Sequence, residues 1–276
     1  MIAWQACASA DWTNVRGVLA SFFTTLLTIV FLFSLTGFQI TSEQAATRLL
    51  GRLGASLIEI DRWLPAHQEE LQLRAEDRPN GAVPLAGVPV AAEIPSSRVL
   101  GAPPEVLRDR VIEAMGLALY NNGTDALRDE KGPVELSIEE PVRWAIDALQ
   151  RDMNSIWLPP MAFSGIVLAG LCLDFMRMGR SPLSSILVGA FTATFFAAAA
   201  WILATLGAGI MESGVDKEVM QVAKDGAFMG LRNSVTMGAA ATALMLVLKV
   251  TVQTPRRDLY DERYYEPERE EEYVQR

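Results

Sequence analysis

Apolar positions along this chain are bunched rather than spread. Four runs stand out: Gly17 to Phe38, Met161 to Met178, Pro182 to about Gly207, and Ala227 to Val250. A hydrocarbon layer needs about 20 apolar residues in helical form, so each run reads as a membrane span, the second being the shortest. The pattern predicts an all-α polytopic membrane protein with four transmembrane helices. The first run is longer than the apolar segment of a signal peptide, and no A-x-A site follows Phe38, so it reads as a retained anchor.

Residues 39–160 separate the first two spans and carry a different periodicity. Ala46, Leu50, Leu53, Leu57, Ile60 and Leu64 alternate spacings of four and three, the seam of helices that pack side by side. A helix is therefore expected to continue out of the membrane from span one until Pro65 kinks or stops it. Residues 79–104 hold six prolines and three glycines, which disfavours helix and central strand alike. They read as a long surface loop, although Val83, Leu85, Val88, Val90 and Ile94 are more apolar than a solvated linker needs.

A second helix is expected from Pro104, a residue suited to a first helical position, through Leu107, Val111, Met115 and Ala118 to the stop at Asn121-Asn122-Gly123. The third opens on a capping box, Ser137 with Glu140, and runs as one stripe over Val142, Ile146, Leu149, Met153 and Ile156. Trp157 suits a membrane interface, and Pro159 and Pro160 are expected to break that helix before span two. The region thus reads as a domain of about three helices standing on the membrane.

Inside the spans the small residues recur. Gly226, Gly230, Ser234, Gly238 and Thr242 fall on one face of span four, and Ser185, Gly189, Ala193 and Ala197 on one face of span three. Small residues four apart let helix backbones approach closely in lipid, so the two faces are expected to meet as an antiparallel hairpin. The glycines of TLGAGIMESG, residues 205–214, read as a turn within an outer loop spanning 208–226.

Charge sets the orientation. Arg16 precedes span one, Arg177 and Arg180 fill the link between spans two and three, and Lys249, Arg256 and Arg257 close span four. All lie on one side, which the positive-inside rule makes cytoplasmic, together with the N-terminal residues 1–16 and the tail 251–276. Residues 39–160 and 208–226 are then outside. The tail combines dense mixed charge with four of the five tyrosines and no apolar period, and is expected to be disordered. Twenty arginines against four lysines suggest a GC-rich bacterial genome, and a net charge of -9 argues against a nucleic-acid partner. Cys7 and Cys172 give the exported region no disulfide.

Candidate chemistry is sparse. The single histidine, His67, stands beside Glu69 and Glu70 without the further ligands or spacing of a metal site, and reads as solvated. No nucleophile elbow, phosphate loop or dinucleotide fingerprint is present, so no catalytic residue, metal or cofactor is expected. Asn122-Gly123-Thr124 fits a glycosylation sequon, a short motif that arises by chance. Two ionisable residues lie within spans, Asp174 and Arg232, and such residues mark sites by default. By helix rise Asp174 lies about 20 Å and Arg232 about 7 Å below the outer surface, too far apart in depth to pair. Asp174 is expected to reach Arg177, with Arg180 and Lys249 nearby, and Arg232 to extend outward to Glu212, Asp216 or Asp225 or to meet an anionic headgroup.

These readings favour a non-enzymatic subunit of a bacterial inner-membrane complex. Its partners are the bilayer and either another membrane protein or further copies of itself, engaged through the helical region. A channel or transporter built on the small-residue hairpin is the alternative. A membrane sensor is a further reading of the same layout, although no signalling domain is readable after span four.

Overall fold

The computed structural model describes residues 2–127, 140–178, 180–211 and 214–253, with side chains within 15–250. The chain begins with α1 (Ile2–Ile40), α2 (Glu43–Leu57) and α3 (Ile60–Asp77). A two-stranded antiparallel ribbon, β1 (Ala82–Pro84) and β2 (Glu93–Pro95), leads into the short α4 (Ser96–Val99) and α5 (Pro104–Asn122). Then follow α6 (Glu140–Leu149), α7 (Arg151–Arg177), α8 (Leu183–Ile210) and α9 (Val215–Gln253). Four of these, α1, α7, α8 and α9, are long and apolar enough to cross a membrane, which makes this a multi-pass membrane protein by length and composition.

The four long helices form an open layer. α1 is central, with α7 antiparallel on one flank and α8 parallel on the other, while α9 returns along α8 and touches the upper part of α1. Gly165 of α7 meets Phe31, and Gly37 of α1 receives the indole of Trp157. On the opposite flank Gly189 lies against Thr28 and the Thr25 carbonyl, and Thr25 Oγ1 donates to Ser185 O (3.1 Å). The α8–α9 contact runs through Ala190 with Gly238 and Ala197 with Gly230. Close approach of this kind replaces the hydrophobic driving force that lipid does not supply. Outward, α7 and α8 present Phe163, Ile166, Phe191 and Phe195.

Residues 43–127 and 140–149 fold into a helical head at one end of that layer, with five α-helices among the described residues where the sequence suggested about three. The expected continuous helix from span one is broken twice. Thr41 and Ser42 turn their hydroxyls onto the carbonyls of Gly37 (2.8 Å) and Gln39 (2.7 Å), closing α1. Glu59 then adopts a left-handed conformation (φ 46°, ψ 60°) that separates α2 from α3. The seam residues therefore divide: Ala46, Leu50, Leu53 and the half-buried Leu57 belong to α2, and Ile60 and Leu64 to α3. Pro65 neither stops nor ends α3, because packing of Trp63, Leu64 and Leu71 into the core outweighs the one backbone bond that proline removes.

Three further expectations are corrected. Residues 79–104 are not wholly a surface loop: Val83 pairs with Ile94 across the ribbon, and with Leu85, Val88 and Val90 they are almost fully buried in the head core. A ribbon of two strands has only edges, so its prolines can sit where no ladder bond is needed. The break before span two falls at Gln150 rather than at Pro159-Pro160, which lie inside α7, and Ile156 is consequently exposed instead of continuing the stripe of Val142, Ile146 and Leu149. The presumed outer loop 208–226 is mostly helix: α8 continues through Gly207 and Gly209 to Ile210, and α9 starts at Val215, whose spacing with Val219 and Val222 puts an apolar stripe on the head. The capping box at Ser137 and the tail beyond Gln253 lie outside the described residues.

Within the head, α2 and α5 cross so closely that only glycine fits. A Cβ on Gly51 would lie 2.6 Å from the Ile112 carbonyl oxygen, and one on Gly116 would strike the Thr47 carbonyl. Leu50, Leu53, Leu107, Met115 and Leu119 close around that crossing with no exposed surface. Each such side chain contributes about 2 kcal/mol by removal from water.

Candidate functional site

The ends of the span layer are chemically distinct. At the end remote from the head, Arg16 Nη2 and Asp174 Oδ1 form an ion pair of 2.6 Å between α1 and α7, and the Arg180 side chain packs on Gly17. This corrects the expected partner of Asp174: it is Arg16 rather than Arg177, because α1 and α7 are antiparallel neighbours that bring residues far apart in sequence to one level. From Gly17 to Phe38 the helix rises about 32 Å, close to the thickness of a hydrocarbon layer.

The opposite end, where α1 meets the head, is a belt of amides and hydroxyls. Asn154 Nδ2 donates to Phe38 O (3.0 Å), a carbonyl that the end of α1 leaves over, and to the Thr41 hydroxyl oxygen (3.2 Å). Asn233 Nδ2 donates to Thr36 Oγ1 (3.1 Å) and Gln39 Oε1 (2.8 Å), tying α9 to the same turn. Trp157 stands at this level against Gly37, where an amphipathic ring suits the membrane–water boundary.

Arg232 precedes Asn233 by one position and lies in this belt, not among the carboxylates expected for it. Asp216 and Asp225 form no ion pair with it, and Glu212 is outside the described residues. It lines instead an open groove of about 480 Å³ with Arg48 of α2, walled by Phe38 and Met229 and by Ser42 and Gln44. Asp174 and Arg232 thus sit at opposite ends of the layer and do not meet.

One turn further along α2, Arg52 holds the head to α9. Its Nη1 donates to Asp225 Oδ2 (2.8 Å) and its Nη2 to Gln221 Oε1 (2.9 Å). Glu218 Oε1 lies 2.7 Å from Nη2 as a Coulombic neighbour, the N–H being aimed at Gln221. Val219 and Val222 beside them enter the head core, so one unbroken helix serves both regions. Neither Arg48 nor Arg52 stood out in the sequence. Their spacing of four, on the α2 face opposite Leu50 and Leu53, was the available signal.

The small-residue ladders divide among three helices. Ser185 and Gly189 face α1 rather than α9, Ala193 is buried beside Leu32, and Ala197 meets Gly230. Gly226 touches Ile40 and Gly230 touches Thr36, while Ser234 is buried with its hydroxyl on Gly230 O (2.9 Å). Gly238 meets Ala190, and Thr242 is exposed, its hydroxyl donating to Gly238 O (2.8 Å). The α8–α9 hairpin forms, and α1 joins it as a third helix at Ser185 and Gly189, because its buried Thr24 and Thr28 offer α8 an equally narrow face.

His67 is not solvated as expected. It is half-buried in α3, its Nδ1 2.9 Å from Trp63 O and its ring stacked on Trp63 with centroids 4.8 Å apart, under the Gly87 turn. In the head core, burial pushes the Tyr120 phenol above its ordinary value of 10.0; the Glu43 carboxylate adds to this and Arg151 opposes it. Among the described residues, no cluster of histidine, cysteine and carboxylate side chains is arranged to hold a metal ion. Comparison with protein-family models, curated proteins and solved structures finds no match for this chain.

Proposed function

We propose that this protein is a non-enzymatic assembly subunit of a bacterial inner membrane, with its head outside the cytoplasm and both termini inside. The basic residues Arg16, Arg177, Arg180 and Lys249, gathered at the end remote from the head, support that orientation. The observation that carries the reading is Trp144. It is 68% exposed on α6, whereas the other tryptophan of the head, Trp63, is buried. A large aromatic ring left in water on a rigid, well-packed body is the kind of residue that dominates protein interfaces. The arginine clamp from α2 to α9 supports the same reading, since it holds the head to the membrane layer in one orientation.

A channel or transporter subunit is less well supported. The spans form an open layer rather than a ring, and their two ionisable residues stand at its ends instead of lining a path through it. The test is the mass and composition of the complex extracted from its native membrane in mild detergent, for the natural chain and for Trp144→Ser. A second protein in fixed ratio with the natural chain, lost from the variant, is the expected result. A chain that emerges alone, or an unchanged complex with Trp144→Ser, overturns the reading. A closed ring of identical chains that passes ions in liposomes transfers support to the channel.

A further inference from the structure

The groove between α1, α2 and α9 has the composition of a lipid site. Two guanidinium groups, Arg48 and Arg232, come to it from separate helices, and no carboxylate lines it. Elsewhere the arginines of this protein are commonly matched: Arg16 with Asp174, Arg52 with Glu218 and Asp225, Arg62 with Glu59, Arg108 with Asp61. Arg48 and Arg232 have no such partner among the described residues. Arg48 also borders a neighbouring groove lined by Glu43, Asp109 and Glu113, and it forms an ion pair with none of them.

The level of the groove is equally informative. Asn233, next to Arg232, reaches Thr36 and Gln39, so Arg232 stands at the last turn of α1, about one hydrocarbon thickness from the Arg16–Asp174 pair. That is the depth of lipid phosphates. Its lining combines apolar Phe38 and Met229, which suit the first carbons of an acyl chain, with polar Gln39, Ser42 and Gln44. Ser42, the N-cap of α2, donates its hydroxyl to Gln39 O, and its oxygen accepts no bond from the first turn of α2, whose N–H groups are left without a side-chain cap beside the groove that Ser42, Gln44 and Ala45 line.

We propose that this groove binds the phosphodiester headgroup of an anionic phospholipid, with Arg48 and Arg232 as its two charged donors and Phe38 and Met229 holding the proximal acyl chain. The site would fasten the bilayer to the joint where the head leaves α1, independently of what the head itself recognises.

The experiment is equilibrium lipid binding by native mass spectrometry on the full chain in detergent. It uses phosphatidylglycerol, neutral phosphatidylcholine of the same chains, and inorganic phosphate alone. Phosphatidylglycerol should bind the natural chain in preference to phosphatidylcholine, and Arg48→Gln with Arg232→Gln should weaken it about 30-fold while leaving phosphatidylcholine unchanged. Ala45→Trp, which fills the groove without altering charge, should exclude phosphatidylglycerol too and covers the case in which the double variant does not fold. Arg62→Gln, at an exposed pair on α3, should have no effect. Equal phosphatidylglycerol binding by all these proteins overturns the proposal. So does saturation of the groove by millimolar inorganic phosphate that displaces the lipid, which would make it a site for free anions.

Discussion

The head and the span layer are both helical, and they are held together by different forces. In the head, Leu50, Leu53, Met115 and Leu119 are sealed from solvent around the Gly51–Gly116 crossing, and the Pro-rich ribbon is folded in as part of the core. In the layer the large apolar residues, Phe163, Ile166, Phe191 and Phe195, point outward, while threonine, serine, alanine and glycine fill the contacts. Water drives the first arrangement and lipid permits the second. The same residue type therefore carries opposite meaning in the two regions: a buried leucine marks the inside of the head, and an exposed phenylalanine marks the outside of the layer.

The largest effect that would test this contrast comes from one substitution made in both regions. Gly116→Ala pushes a methyl group into the Thr47 carbonyl and the Gly51 backbone, atoms that cannot move without parting α2 from α5. It should destabilise the head by about 3 kcal/mol. Gly238→Ala meets only Ala190 Cβ at 3.7 Å, an ordinary contact, and should change stability by less than about 0.5 kcal/mol. Denaturant unfolding in detergent, followed by regional hydrogen exchange, separates the two. Comparable losses at both positions would show that the α8–α9 contact is as tight as the α2–α5 crossing, as the α1–α8 contact is at Gly189, where a Cβ would lie 2.8 Å from Thr25 O.

A smaller effect is expected where the two regions are joined. Arg52→Gln removes the donors to Asp225 and Gln221 and the positive charge beside the partly buried Glu218. Because Arg52 is itself more than a third exposed, solvent screens the pair, and a loss of about 1 kcal/mol is the scale. The informative readout is local: exchange should quicken in residues 215–225 of α9 and in α2 with little change in residues 183–205 of α8. Unaltered protection at 215–225 would mean that Val219 and Val222 hold the joint without the charges.

Those three substitutions also mark what was legible in the sequence. The four spans were, because twenty apolar residues in a row have few other uses. So were the start of α5 at Pro104 and its end at Gly123, where φ is 57°, a conformation glycine adopts without strain. The seam of α2 and α3 was visible as periodicity, but its interruption at Glu59 was not, since no glycine or proline marks it. Proline misled twice, at Pro65 and at Pro159-Pro160, where helices bear the loss of a backbone bond because tertiary contacts compensate. The upper part of α9 was hidden by its charge: Asp216, Lys217, Glu218, Lys224 and Asp225 look like a loop until the head is present to cover Val219 and Val222. The Arg48–Arg232 groove joins residues far apart in sequence, and no local pattern announces such a meeting.

The smallest effect belongs to the head alone and is read through pH. Tyr120 is buried, and its pKa in the folded chain is raised above the ordinary 10.0, first by burial and then by Glu43, against the opposing influence of Arg151. An unfolded chain would release that proton near pH 10, whereas the fold retains it, so above that pH the unfolded state binds fewer protons and folding stability falls as pH rises. The contribution is complete below the unfolded pKa and is lost as pH climbs through the folded one. Tyr120→Phe abolishes it, so the stability difference between the natural chain and the variant should stay constant from pH 7 to 9 and shift in the variant's favour above about pH 10. Taking that difference cancels the tyrosines of the tail, which are the same in both proteins. The alkaline loss should appear as faster exchange in α5 and the adjoining α2, leaving α8 and the membrane portion of α9 protected. A uniform loss across head and layer would show that the arginine clamp makes one cooperative unit of the two, and the contrast between them would then be one of packing and not of stability.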